Sequence, residues 1–183
     1  MNVDGDYAKL MNVAKEESNR VNNIISNYLN FARNPELTLT LNNIQDTIEE
    51  AITLLRAAKK ISKGVDFLTY FEDNLPQLVF DRDSIKQVFW NLLLNSVDAI
   101  SSEGVVEIKA AKIEDQVEIK VRDNGKGIAP EEMKKIFEPF YSLKAKGTGL
   151  GLSIVRRIIE QHKWTIGVES ELSKGTVFTI RVP

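Results

Sequence analysis

The sequence contains no cysteine and a single histidine, His162, among its 183 residues. Without cysteine there is no disulfide framework, thiolate nucleophile, zinc ribbon or iron–sulfur cluster, and one imidazole cannot build a multi-histidine metal site. A hydrolase triad or acid–base pair would have to use His162 or avoid imidazole altogether. A surplus of positive charge is also missing. Lys and Arg number 24 against 26 Asp and Glu, so nothing favours a nucleic-acid partner, whose phosphates are neutralised by excess basic side chains. No apolar run approaches the ~20 residues that cross a bilayer. The opening MNVDGDYAKLM lacks the basic and then apolar regions of a secretory leader. The expectation is a cytoplasmic chain with no membrane segment and no nucleic-acid partner. An apolar fraction of 43% suits one domain with a full core, with or without a short appendage.

The amino-terminal segment shows its organisation by periodicity. Tyr7, Leu10, Ala14, Glu17, Val21, Ile24, Tyr28 and Phe31 alternate at spacings of three and four, a heptad seam with one polar interruption. One long helix with such a seam cannot bury it alone, so it is expected to pack with partner helices through residues 6–33. Docking on its own domain is the simpler alternative. Asn34-Pro35 marks the end of the helix.

The remainder mixes strands and helices without strict alternation. Leu37, Leu39 and Leu41 alternate with threonines as a half-buried strand. A helix is expected over residues 45–60, short strands over 65–71 and 78–80, and a long helix capped by Asp81 or Asp83 and running to about Ile100. Residues 105–112 and 116–122 form a hairpin across Glu114-Asp115. A short helix over 130–137, a glycine-punctuated loop, a helix over 149–162 and two strands over 165–171 and 176–182 complete the pattern. This predicts an α+β fold, a two-layer sandwich of one mixed sheet with helices on one face.

Three stretches carry chemistry. On the long helix, Gln87, Asn91, Asn95 and Asp98 form one polar stripe beside a core face of Ile85, Val88, Phe89, Leu92, Ser96 and Ala99. Asparagine carbonyls are hard oxygen donors suited to Mg²⁺, which keeps several waters and travels with phosphates; a solvated flank would show the same pattern. DNGKGI at 123–128 ends a Val- and Ile-rich strand. Its aspartate can accept from an exocyclic amine and its glycines admit a flat ring, although a plain Asn-Gly turn also fits. KAKGTGLGLS at 144–153 places Gly147, Gly149 and Gly151 before a helix whose free first-turn amides attract anions. A flexible polar loop is the alternative there. Neither the dinucleotide fingerprint nor GxxxxGK[ST] occurs.

The order of these motifs resembles the ATP-binding catalytic domain of sensor histidine kinases. The asparagine helix is followed by DNGKGI, FEPFYS at 137–142, GTGLGLS, and KGTVF at 174–178. That family belongs to the group with gyrase, heat-shock chaperone and mismatch-repair ATPases, whose shared fold is the Bergerat-type sandwich. The resemblance covers about residues 36–183. It implies ATP and Mg²⁺ as cofactors, with Asn95 as the direct Mg²⁺ ligand and Asn91 its companion near the phosphates. It further implies that Asp123 takes the adenine amino group, with Gly125, Gly127 and Ile128 shaping the purine pocket and Thr176 closing its far side. Residues 129–147 become the ATP lid, anchored by Phe137 and Phe140. Lys144 then reaches the terminal phosphates, and Gly147, Thr148, Gly149, Leu150 and Gly151 cover the triphosphate.

The same resemblance makes residues 1–34 the second helix of a dimerisation and phosphoacceptor hairpin, and residues 36–183 the catalytic domain. No first helix with its acceptor histidine stands in the 183 residues. The implied partners are therefore that missing phosphoacceptor helix, a response regulator and a second copy of the chain. The expected activity is a protein-histidine kinase that cannot autophosphorylate within these residues, or whose acceptor lies on another protein, and whose parent can be membrane-anchored. Ser96 stands where alanine commonly follows the second asparagine, and Asp98 where many relatives carry a basic residue. Lys163-Trp164 replaces a common glycine pair, with Trp164 expected at a strand edge, and His162 reads as structural. Two other functions share the fold: a serine kinase or hydrolysing ATPase, and a nucleotide-gated interaction module. A hydrolase of this group would want a glutamate among the stripe residues, which hold none.

Overall fold

The computed structural model describes residues 36–58, 61, 64–144 and 147–183, together with Met11, Ala14, Lys15, Glu17 and Ser18. The chain divides into two compact units, Met1–Glu36 and Leu37–Pro183. In the first, Met11, Ala14, Lys15, Glu17 and Ser18 are helical and exposed. The rest of the heptad seam lies outside the described residues.

The second unit follows the order β1 (Thr40–Asn42), α1 (Ile44–Ala57), β2 (Val65–Phe71), β3 (Leu78–Phe80), α2 (Arg82–Ala99), β4 (Gly104–Ile113), β5 (Gln116–Asp123), α3 (Gly151–Gln161), β6 (Thr165–Glu171) and β7 (Gly175–Val182). Five strands form one mixed sheet in the order β2-β4-β5-β7-β6, and β1 pairs with β3 in a separate two-stranded ribbon. Only the β2–β4 pair is parallel within the larger sheet. It is joined by the α2 crossover, since parallel neighbours need a long connection.

Strand alternation decides which side chains meet the helices. Ile108, Val121 and Phe178 stand in one cross-strand row, and Ala110, Ile119 and Ile180 in the next; all six are buried. Lys109, Lys120, Arg122 and Arg181 point the other way and are exposed. The helices cover the apolar face, with α2 in contact with both α1 and α3. Burying an Ile, Leu or Phe contributes about 1.5–3 kcal/mol, and Phe89, Leu92, Leu93 and Val97 of α2 are all buried. Leu93 and Val97 widen the expected core face, whereas Ala99 is half-buried at its end.

Caps fix the helix ends. Asn43 Oδ1 accepts the Gln45 amide at 2.8 Å at the start of α1, and Asp81 Oδ1 accepts the Ser84 amide at 2.8 Å at the start of α2. Asp81, not Asp83, is therefore the cap of the long helix. Its second oxygen accepts the Thr38 amide at 2.8 Å. Burial opposes the charge on Asp81, but the Ser84 and Thr38 amides outweigh it and hold the carboxyl below its ordinary range.

Three local expectations differ from the structure. The first strand is confined to Thr40–Asn42. Residues 130–137 form successive turns and no helix, with bonds such as Glu132 N to Ala129 O and Lys135 N to Glu132 O spanning three residues. Trp164 is no edge aromatic. It is buried edge-on against Phe80 at 5.8 Å and beside His162 at 5.4 Å.

Candidate functional site

The candidate residues converge on the carboxyl-terminal half of α2. Asp123 is the last residue of β5, and the period of two that buries Val117, Ile119 and Val121 turns its carboxylate to the helix-covered face as well. It is 3% exposed. Oδ1 accepts the Gly125 amide at 2.9 Å. Burial pushes the Asp123 carboxyl above its ordinary range, against the pull of the Gly125 amide, the Ser96 hydroxyl and the Thr176 amide. The Ser96 hydroxyl is itself buried and reaches no hydrogen bond of good geometry. A buried carboxylate with unused acceptor capacity suits an incoming amine donor.

Around it, the 123–128 loop is tied to three elements. Lys126 N donates to Ala99 O at 3.0 Å at the end of α2, and Val105 N donates to Asn124 Oδ1 at 2.8 Å at the start of β4. Ile128 N donates to Ser170 Oγ at 2.8 Å on β6. Gly127, with φ +69°, lies so close to the Glu171 carbonyl that a Cβ would collide with it. Thr176 stands opposite Asp123 in the β5–β7 ladder, and its hydroxyl lies 2.9 Å from Ser170 Oγ. Ser170 thus joins the candidate residues Ile128 and Thr176, a connection that motif reading missed. The β6–β7 hairpin was legible in the sequence, and its register pairs Ser170 with Thr176, so the signal was there.

One turn along α2, the polar stripe meets the glycine-rich loop. Asn91 Oδ1 lies 3.5 Å from the position a Cβ on Gly151 would take, which brings Asn91 to the first turn of α3. No side chain caps α3, whose N-cap is the fully buried Leu150. Leu150 N makes only a 3.4 Å contact with Thr148 Oγ1. The first-turn amides thus lack a side-chain cap, and with the helix dipole they suit an anion. Gly149, at φ +69°, packs on the Phe140 backbone, where a Cβ would collide with the carbonyl group. Gly147 lies against Ser142 Oγ, which also accepts the Lys144 amide at 3.1 Å.

Lys144 closes this cluster. Its ammonium donates to Asn95 Oδ1 at 2.8 Å and to Asp98 Oδ2 at 2.7 Å. The two oxygens hold a cation beside the expected phosphate position, and the Asn95 carbonyl is a hard donor that fits Mg²⁺. Among the described residues no group of three or more His, Cys, Asp or Glu could hold a metal. A Mg²⁺ held here would bring the rest of its shell from phosphates and water.

At the base of the expected lid, Phe137 packs edge-on against Phe178 at 6.4 Å with Arg156 over its ring. The Phe140 ring is 60% exposed, so its anchoring contact runs through its backbone. His162 stays outside the site. Its Nδ1 donates to Ile158 O at 2.7 Å, and its Nε2 accepts the Asp81 amide at 3.1 Å.

Residues 80–183 match the family described as histidine kinase-, DNA gyrase B-, and HSP90-like ATPase. The sensor histidine kinase ZraS of Salmonella typhimurium is 37% identical over 180 residues, which are 98% of this chain and 38% of that protein. The chain thus spans about two fifths of that relative's length. Among solved structures, full-length ShkA in complex with AMPPNP has a TM-score of 0.81 at 27% identity, covering 96% of this chain and 38% of that one. Histidine kinase ThkA in complex with the response regulator protein TrrA has a TM-score of 0.77 at 30% identity, covering 96% and 50%. No helix among the described residues is long and apolar enough to cross a membrane.

Proposed function

Because the chain belongs to the histidine kinase-, DNA gyrase B- and HSP90-like ATPase family, we propose that residues 36–183 bind Mg²⁺-ATP and act as the catalytic domain of a sensor histidine kinase. The observation that carries this reading is the meeting of Asn95 and Lys144, 49 residues apart, at 2.8 Å beside the uncapped start of α3. That convergence supports a phosphate and cation site on the helix whose end, at Ala99, ties down the loop that follows Asp123.

In this reading Asp123 accepts the adenine amino group, with Gly125, Gly127 and Ile128 admitting the ring and Thr176 bounding it. Asn91 orients the phosphates from α2. The backbone of Gly147, Thr148, Gly149, Leu150 and Gly151 covers them with amide donors and the positive end of α3. Asn95 would hold Mg²⁺, which would neutralise phosphate charge. Lys144 adds a mobile positive charge at the terminal phosphate, where charge redistributes during transfer. Positioning and charge neutralisation supply most of the catalysis in phosphoryl transfer, and the residues present here do both.

The γ-phosphoryl acceptor is a histidine outside these residues. The chain's one histidine, His162, is engaged at both ring nitrogens between α2 and α3. The heptad seam of residues 6–33 supports a second hairpin helix that dimerises and receives the acceptor helix. ThkA is seen with a response regulator protein, which supports onward transfer to a regulator aspartate. The test is to incubate the chain with labelled ATP and a separately made hairpin bearing the acceptor histidine. Label on the hairpin histidine is expected. Rapid phosphate release with no labelled hairpin would sink the kinase reading in favour of a hydrolysing ATPase.

A further inference from the structure

Asp98 lies three residues after Asn95 on the same face of α2, and both present an oxygen to one ammonium. Lys144 Nζ sits 2.8 Å from Asn95 Oδ1 and 2.7 Å from Asp98 Oδ2. Both partners of the ion pair remain reachable by water, at 36% exposure for Lys144 and 42% for Asp98. The ammonium thus occupies one side of the oxygen that is proposed to ligate Mg²⁺. A monovalent ammonium and a divalent cation repel, and Asn95 Oδ1 cannot serve both at hydrogen-bonding distance.

We infer that Asp98 is a positioning residue, the resting counter-ion of Lys144, which holds the lysine on the asparagine stripe until nucleotide phosphates draw it away. The inference rests on the reading that Lys144 meets the terminal phosphates. At rest, Asp98 keeps the Lys144 ammonium beside Asn95. On binding, Lys144 exchanges Asp98 and Asn95 for phosphate oxygens, and Asn95 is freed for the metal. The exchange subtracts the Asp98–Lys144 attraction from the nucleotide's affinity. Asp98 thereby sets a threshold for occupancy, although it touches neither metal nor phosphate. An exposed ion pair of this kind has a small effect, about two- to fivefold in affinity. Being exposed, it also weakens as salt rises.

The test uses AMPPNP as the probe, with titration calorimetry in excess Mg²⁺ and again in chelator. Asp98→Asn is expected to tighten AMPPNP about two- to fivefold in both conditions, with the gain shrinking at high salt. Asp98→Glu, which keeps the carboxylate, should stay close to the parent. In a Lys144→Ala background the Asp98→Asn gain should vanish, because Asp98 acts through the lysine. Three results would overturn the inference: no change in Asp98→Asn, a loss confined to Mg²⁺ (a carboxylate that meets the metal), or a gain that persists without Lys144 (bulk surface charge). The last result leaves the phosphate role of Lys144 standing. Unchanged affinity in Lys144→Ala alone would remove that role and the inference together.

Discussion

Thr176 stands directly across from Asp123 in the β5–β7 ladder, so a threonine and a carboxylate, each 3% exposed, sit at the end of a sheet face whose inner rows are apolar. A buried charge there costs stability, and proteins keep such a cost where a ligand repays it.

Asp123→Asn follows from that cost. Its carboxyl is pushed up by burial, so the folded state holds its proton more tightly than the unfolded chain, and ionising it at neutral pH destabilises the fold. The neutral amide should raise nucleotide-free stability by on the order of 1 kcal/mol while abolishing nucleotide binding. Thermal unfolding with and without ADP reads both. A lower melting temperature, or a retained nucleotide shift, would contradict the assignment.

The same residue sets a pH profile. The ionised carboxylate is the acceptor for the adenine amine, and protonation removes it. Because the folded-state pKa is raised, ATP affinity should decline on acidification at a higher pH than an ordinary aspartate would require. Calorimetry across mildly acidic buffers would show the decline, and an affinity flat down to the ordinary aspartate range would argue against Asp123 as adenine reader.

Asn95→Ala removes the proposed metal ligand while leaving the Asp98 carboxylate for Lys144. Nucleotide binding should weaken about tenfold or more in Mg²⁺ and much less in chelator, since loss of a ligating group acts through the metal. Equal losses in the two conditions would assign Asn95 to the phosphates directly.

Asp81→Ala should lower stability by about 2–3 kcal/mol, for it deletes a helix cap and a second charge-assisted bond, the Ser84 and Thr38 amides each losing a 2.8 Å acceptor. The carboxyl is held below its ordinary range, so its contribution is complete at neutral pH. It fades as pH falls through the lowered value. Denaturant unfolding of parent and variant should therefore converge in acid, and a gap that persists there would assign the loss to packing.

Much of the fold was legible because local periodicity and capping carry it. The apolar stripe and an aspartate at 81 or 83 mark the start of α2, residues 116–122 read as a strand, and the turn expected at Glu114 adopts φ +56°. Residues 130–137 misled because Pro130 and spaced apolar residues suit a helix start, whereas the chain there closes three-residue turns and seats Ile136 and Phe137 against the domain. Trp164 was misplaced for a similar reason. Its sequence neighbours say strand edge, but Phe80, 84 residues earlier, supplies the ring that buries it.

The sequence alone determined the inventory of the site: asparagines at Asn91 and Asn95, the aspartate and glycines of 123–128, and the glycine loop before α3. Each is a short-range pattern whose spacing matches a helix face, a turn or a helix start. Tertiary structure decided which groups meet. The Asp81 amide reaches His162 across 81 residues, and Lys144 reaches Asp98 across 46. Such pairings depend on how α2 crosses the sheet and where the loop before α3 returns. The energies that set those paths come from burial of whole faces, so no local spacing encodes them.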